Sequence, residues 1–174
     1  MKKRVVVVII KFGVTALLTG NGCSRPLGAY LISAACDGNV QKVMNLLTLG
    51  AKVNATDGRG YSALINVEAC KGHNDPTRME LVELLIAKGA EVNLRSRDGT
   101  TALMYAARNG DTQAVNALLR SGASVNMADN EGETTLMKAA ASSCSEETVR
   151  ALLSAGADLS AVQHDQIGHL AFVG

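Results

Sequence analysis

The sequence predicts an all-α solenoid: a row of about four stacked helix-turn-helix units joined by β-hairpin-like fingers. Three observations predict it. A Gly-Ala step, then an apolar residue two positions on, recurs at Gly50-Ala51, Gly89-Ala90, Gly122-Ala123 and Gly156-Ala157, at spacings of 39, 33 and 34 residues. A Leu-Leu pair precedes each step, at Leu46-Leu47, Leu84-Leu85, Leu118-Leu119 and Leu152-Leu153. Asn54, Asn93 and Asn126 are each followed eight residues later by a helix-capping residue, Ser62, Thr101 or Thr134.

Composition suits such a stack. Of 174 residues, 47% are hydrophobic but only 3% aromatic, with no Trp. The core must therefore be Ala, Leu, Val and Ile, which lets helices approach closely. Lys and Arg number 17 against 16 acidic residues, a balance that provides no global field for nucleic acid or an anionic membrane.

Residues 1–23 read differently. Met1-Lys2-Lys3-Arg4 precedes an apolar stretch, Val5 to Ile10 and Phe12 to Leu18, broken by Lys11. That is the layout of a secretory signal, and it is short for a membrane span of about 20 apolar residues. The competing reading is an apolar strand or helix of the folded domain, and Val5 to Ile10 is β-branched and strand-like. Thr19 to Ser24 resembles the lipobox of a bacterial lipoprotein, with Cys23 as the lipidated residue, but Gly20 stands where the motif has an aliphatic residue. The expected location is the periplasm, or the outer membrane if Cys23 carries lipid.

The first unit, about 27–56, aligns Leu31, Ala34-Ala35, Gly38, Asn39, Val43 and Leu46-Leu47 with the later units but has no preceding finger, as expected of an N-terminal cap. The second, 57–95, carries about five extra residues around 71–76, with Asp75-Pro76 placed to start its second helix. This insertion should bulge from the inter-helix turn, as part of a contact or as a neutral surface loop. In the third, 96–128, Thr101 can cap a helix whose Leu103, Ala106 and Ala107 share a face; Gly110 ends it, and Asp111 caps the next, with Val115, Leu118 and Leu119 forming an amphipathic stripe. The fourth, 129–161, has Ser145 before Glu146-Glu147 as its second-helix start. A partial cap, 162–174, is expected to cover the last unit.

The stretch Gly99-Thr100-Thr101-Ala102-Leu103-Met104-Tyr105-Ala106-Ala107-Arg108-Asn109-Gly110-Asp111 resembles the ankyrin-repeat motif G-x-T-P-L-H-x-A-A-x-x-G-H, with Ala102 in place of Pro. The resemblance extends from about Leu27 to Leu159. It implies a concave surface of finger tips and first helices that binds a protein partner. Carried over by position, the exposed finger residues are Arg59, Tyr61, Arg97, Asp98, Thr100, Asn130, Glu131 and Glu133, with Tyr61 as the anchor. Asn54, Asn93 and Asn126 are finger hydrogen-bonders instead. Charge changes sign along the row, from Lys52, Arg59, Arg95 and Arg97 to Asp129, Glu131, Glu133 and Asp158.

No catalytic constellation, cofactor loop or metal-ligand spacing is present: His73, His164 and His169 are scattered, and no Cys-x-x-Cys occurs. Cys36 and Cys70 end the first helices of adjacent units. Stacked helix axes lie roughly 8–10 Å apart, long for a disulfide, so both are expected to be small buried hydrophobes. The expected function is a monomeric protein-binding module of the bacterial envelope, touching the membrane only through its signal or lipid. By family analogy one version is an immunity-type inhibitor; the alternatives are a stress-protection or scaffold protein, or a thiol-dependent enzyme.

Overall fold

The repeat grammar is realised as alternating short helices in a computed structural model that describes residues 26–70, 76–141 and 146–160. They are α1 (Leu27–Cys36), α2 (Val40–Thr48), α3 (Ala63–Ala69), α4 (Pro76–Ala87), α5 (Ala102–Asn109), α6 (Thr112–Arg120), α7 (Thr135–Ala141) and α8 (Glu146–Ser154). Helices this short are marginal alone, so each needs its neighbours.

Local chemistry sets the boundaries. Ser62, Thr101 and Thr134 accept from the backbone N–H groups of Ile65, Met104 and Met137, at 3.3 Å each. Asn39 and Asp111 do the same for α2 and α6, through Lys42 and Ala114. Gly110 closes α5 at φ 71°, a left-handed conformation that a side chain would strain. The expected caps Asp75 and Ser145, the insertion, the terminal segments and the partial C-terminal cap lie outside the described residues.

Packing is linear. First helices contact first helices in the order α1, α3, α5, α7, and second helices contact second helices in the order α2, α4, α6, α8. The buried residues form one ribbon through both rows, from Leu31, Ala34 and Val43, through Leu64, Leu81 and Leu85, to Leu103, Val115, Leu118, Leu136 and Leu152. The small side chains Ala34, Ala35, Ala106, Ala107 and Ala139 are fully buried, and with so little bulk between them the first helices can stack closely.

The expected role of the asparagines is found. Asn54, Asn93 and Asn126 each donate to the carbonyl of the next Gly-Ala step (Gly89, Gly122, Gly156) and accept from the N–H of Glu91, Ser124 or Asp158 at 2.8 Å. Each thus ties one unit to the next.

The cysteines correct the sequence reading. Cys36 and Cys70 form a disulfide, with their Cα atoms 5.6 Å apart, and both are only half-buried. The inter-axis distance was a poor guide because Cys70 lies past the end of α3. Its backbone is extended (φ −79°, ψ 119°), so the chain leaves the helix axis there.

Candidate protein-binding face

Each finger is a tight turn closed by two backbone bonds: Asp57 N–H to Tyr61 O, Ser96 N–H to Thr100 O and Asp129 N–H to Glu133 O, all 3.0 Å, and within them Gly60 N–H to Asp57 O, Gly99 N–H to Ser96 O and Gly132 N–H to Asp129 O. An aspartate stiffens two of these turns. The Asp57 carboxylate accepts from the N–H groups of Arg59 and Tyr61, and Asp129 from those of Glu131 and Glu133. Burial would raise the carboxyl pKa of both, but these bonds, with Arg59 beside Asp57 and Lys138 on Asp129, hold each below its ordinary value.

The fingers are also joined to one another. Arg97 N–H donates to Arg59 O, Asn130 N–H to Asp98 O, and the Asn130 side-chain amide to Arg97 O at 2.8 Å. Gly99 makes this approach possible. A Cβ there would meet the Asn130 backbone nitrogen at 2.8 Å, and its φ of 83° is itself unfavourable to a side chain. The row of tips is thereby held in one arrangement before any partner arrives.

The expected contact residues divide. Arg59, Arg97, Asp98, Asn130 and Glu131 are exposed, and Glu133 is partly so. Thr100 is not: it is 6% exposed, and its carbonyl is held by both the N–H and the hydroxyl of Ser96. Tyr61 is half-buried. Its hydroxyl lies 2.6 Å from that of Tyr105 and the rings meet edge to face. Arg59 stacks over Tyr61 and Arg108 over Tyr105, at 4.5 and 5.0 Å from the ring centroids.

Exposed Arg108, half-buried Lys138 and largely buried Tyr105 were missed as residues of this face. Tyr105 and Lys138 occupy the same register in α5 and α7, and Arg108 lies one turn after Tyr105, so the repeat alignment already placed them on one side. Burial and the Tyr61 hydrogen bond push the Tyr105 hydroxyl pKa upward, keeping it protonated. Together with Asp98, Asp129, Glu131 and Glu133 they line a cleft of about 230 Å³.

One cluster in that cleft has metal-like geometry: oxygens of Asp129, Glu131 and Glu133 lie within 4.8 Å of one another. Its cation is already supplied by the protein. Lys138 Nζ is 2.6 Å from Asp129 and 2.7 Å from Glu133. Burial alone would lower the lysine pKa, but the two carboxylates raise it.

On the opposite side, at the inter-helix turns, Glu68 and Arg78 are buried together, 3.9 Å apart. Arg78 also reaches Asp111 at 3.5 Å and donates to the Cys70 carbonyl. Both Glu68 oxygens lack a hydrogen-bond donor. Burial, only partly offset by Arg78, raises this carboxyl to about 8. Sequence reasoning overlooked the pair, although Glu68 aligns with the buried Ala35 and Ala107, a register where a charge requires a counter-charge.

Fold and face together define a helical-repeat solenoid with a preorganised contact surface. Residues 31–127 and 67–163 match the family model for ankyrin repeats, in overlapping three-repeat blocks, and the chain belongs to the ankyrin-repeat family. It is 39% identical over 95 residues to a probable E3 ubiquitin-protein ligase of rice, XBOS33, covering 54% of this chain and 17% of that one. It is 36% identical over 96 residues to the E3 ubiquitin-protein ligase XBAT32 of Arabidopsis thaliana, covering 53% and 18%. A human ankyrin repeat, SAM and basic leucine zipper domain-containing protein is 36% identical over 86 residues, covering 49% and 18%. In each case the alignment takes in less than a fifth of the relative. Ankyrin repeats are protein-protein interaction modules, and the all-α solenoid expected from the sequence is the one observed.

Proposed function

We propose that this chain is an exported protein-binding module of the bacterial cell envelope, gripping one partner across fingers 57–61, 96–100 and 129–133. The observation that carries the reading is the finger-to-finger bonding, which presents Arg59, Arg97, Asp98, Asn130 and Glu131 as one rigid row. A preformed surface binds without the entropy cost of ordering loops. Tyr61 serves as a braced element of the floor through Tyr105, and Thr100 supports the third finger from inside.

Two features support export. The basic and apolar N-terminal layout is that of a secretory signal. The Cys36–Cys70 disulfide fits an oxidising compartment such as the periplasm, since thiols in reducing cytosol stay unpaired. In this bonded form neither cysteine offers the thiolate that a thiol enzyme needs. Lipid on Cys23 would move the same module to the outer membrane. The stretch shared with the ubiquitin ligases is a small part of those chains, so the repeat array is what carries over.

The test is affinity capture from envelope extract with the wild-type domain and with Arg59→Glu/Arg97→Glu. A single stoichiometric partner, lost in the charge-reversed variant and weakened by added salt, is the expected result. Equal capture by both proteins rejects the finger surface. Mass spectrometry of the mature N-terminus reads cleavage and lipidation. A deletion strain separates an immunity-type inhibitor, which leaves cells sensitive to a toxin, from a protective or scaffolding protein, which leaves them sensitive to stress alone.

A further inference from the structure

The cleft under the third and fourth fingers holds more negative charge than its own cations satisfy. Asp129 and Glu133 share the single ammonium of Lys138. Among the described residues Asp98 and Glu131 have no ion partner, although Asp98 accepts from the Ser96 hydroxyl. Burial would raise the Asp98 carboxyl, but the bonds from Ser96 and Thr100 lower it, so it is ionised at neutral pH. Arg108 is the one other cation of the lining, and it is stacked on Tyr105. Four carboxylates therefore face two cations. The floor is the exposed edge of the Tyr105 ring over fully buried Met104, an apolar strip against which the carbon stem of a long side chain can lie.

Lys138 shows what this carboxylate set recognises: an ammonium on an alkyl stem, held by two oxygens at hydrogen-bond distance. A volume of about 230 Å³ is open beside it, enough for a side chain and too small for a folded element. Resting on the protein-binding role above, we propose that this cleft receives one cationic side chain, Lys or Arg, from the protein partner. The head group lies between Asp98 and Glu131 while the stem runs over Tyr105. Toward the N-terminal end of the row, Arg59 of the second finger and Arg97 of the third face the partner's acidic residues. This fixes the direction in which the partner lies along the solenoid.

The test uses the full mature chain and three short peptides, hexa-arginine, hexa-lysine and hexa-glutamate, followed by amide chemical shifts in NMR. Hexa-arginine or hexa-lysine should shift the amides around Asp98, Tyr105 and Glu131 first. Which peptide binds more tightly identifies the head group. Glu131→Lys, with helix content and melting temperature checked, should weaken that binding by at least about ten-fold, and Asp98→Asn by less. Cationic peptides that spread over the outer-face Glu80 and Glu83 without preference, or hexa-glutamate binding at Tyr105 and Arg108, would overturn the assignment. So would wild-type affinity in Glu131→Lys. Captured partner separates the two levels. If Glu131→Lys retains it while Arg59→Glu/Arg97→Glu loses it, the cleft assignment fails and the finger surface stands; if both variants retain it, the finger surface fails as well.

Discussion

Along the loops, Asn54, Asn93 and Asn126 repeat one bonding pattern three times, whereas at the inter-helix turns, among the described residues, a disulfide joins the first unit to the second and a buried Glu68–Arg78 pair belongs to the second. The loop side is periodic, wet and distributed, so each bond is worth little and any one can be lost. The turn side is singular and dry, and its partners depend on one another. Stability that does not reside in the finger tips leaves Arg59, Arg97 and Glu131 available to contact a partner.

Breaking the comparison begins with its strongest contrast. In alkaline buffer, where Glu68 is ionised beside Arg78, Arg78→Met leaves it buried without its cation and should cost about 3–5 kcal/mol in urea unfolding, while adding Glu68→Leu should recover most of that loss. A double mutant as unstable as the single would place the energy in packing instead. Next, Cys36→Ser/Cys70→Ser should lower stability by about 2–4 kcal/mol, since the bridge closes a loop between residues 34 apart in sequence. Differential scanning calorimetry in oxidised and reduced protein reads this directly.

The two sides also respond oppositely to pH. Glu68 has a raised folded-state value of about 8 against an ordinary 4.5. Its contribution is fully present below about 4.5 and is lost as pH rises through about 8, because the unfolded chain ionises first. The lowered carboxyls of Asp57, Asp98 and Asp129 act in reverse, contributing above their ordinary 3.8 and failing as pH falls below it. The melting temperature should therefore peak in mildly acidic buffer, and Glu68→Gln should flatten the alkaline limb only. A curve unchanged by Glu68→Gln would remove the buried carboxyl from the account. Smallest is Asn93→Ala, which removes one relay and should cost about 1 kcal/mol, seen as faster hydrogen exchange at Ser124 with little change elsewhere.

Most of the scaffold was legible in the chain because it repeats. Thr101 as a cap, Gly110 as a stop and Asn93 as a linker are local rules, and their recurrence at a near-constant spacing makes chance agreement improbable. Finger residues were legible as positions but not as exposures: Thr100 is buried with its carbonyl bonded to Ser96, and Tyr61 is braced by a tyrosine 44 residues away. The disulfide was misread because helix-axis spacing says nothing about a residue that has already left its helix.

What the amino-acid order determined alone was the periodic part: which segments are helices, where each begins and ends, and that they must stack to bury Ala and Leu. Tertiary structure alone decided how far Cys70 swings toward Cys36, that Glu68 is enclosed with Arg78, and which charges meet in the cleft beneath the fingers. Helix signals arise from neighbours within one turn of backbone. Distances between side chains of different units depend on how closely those units lean together, which no single unit encodes.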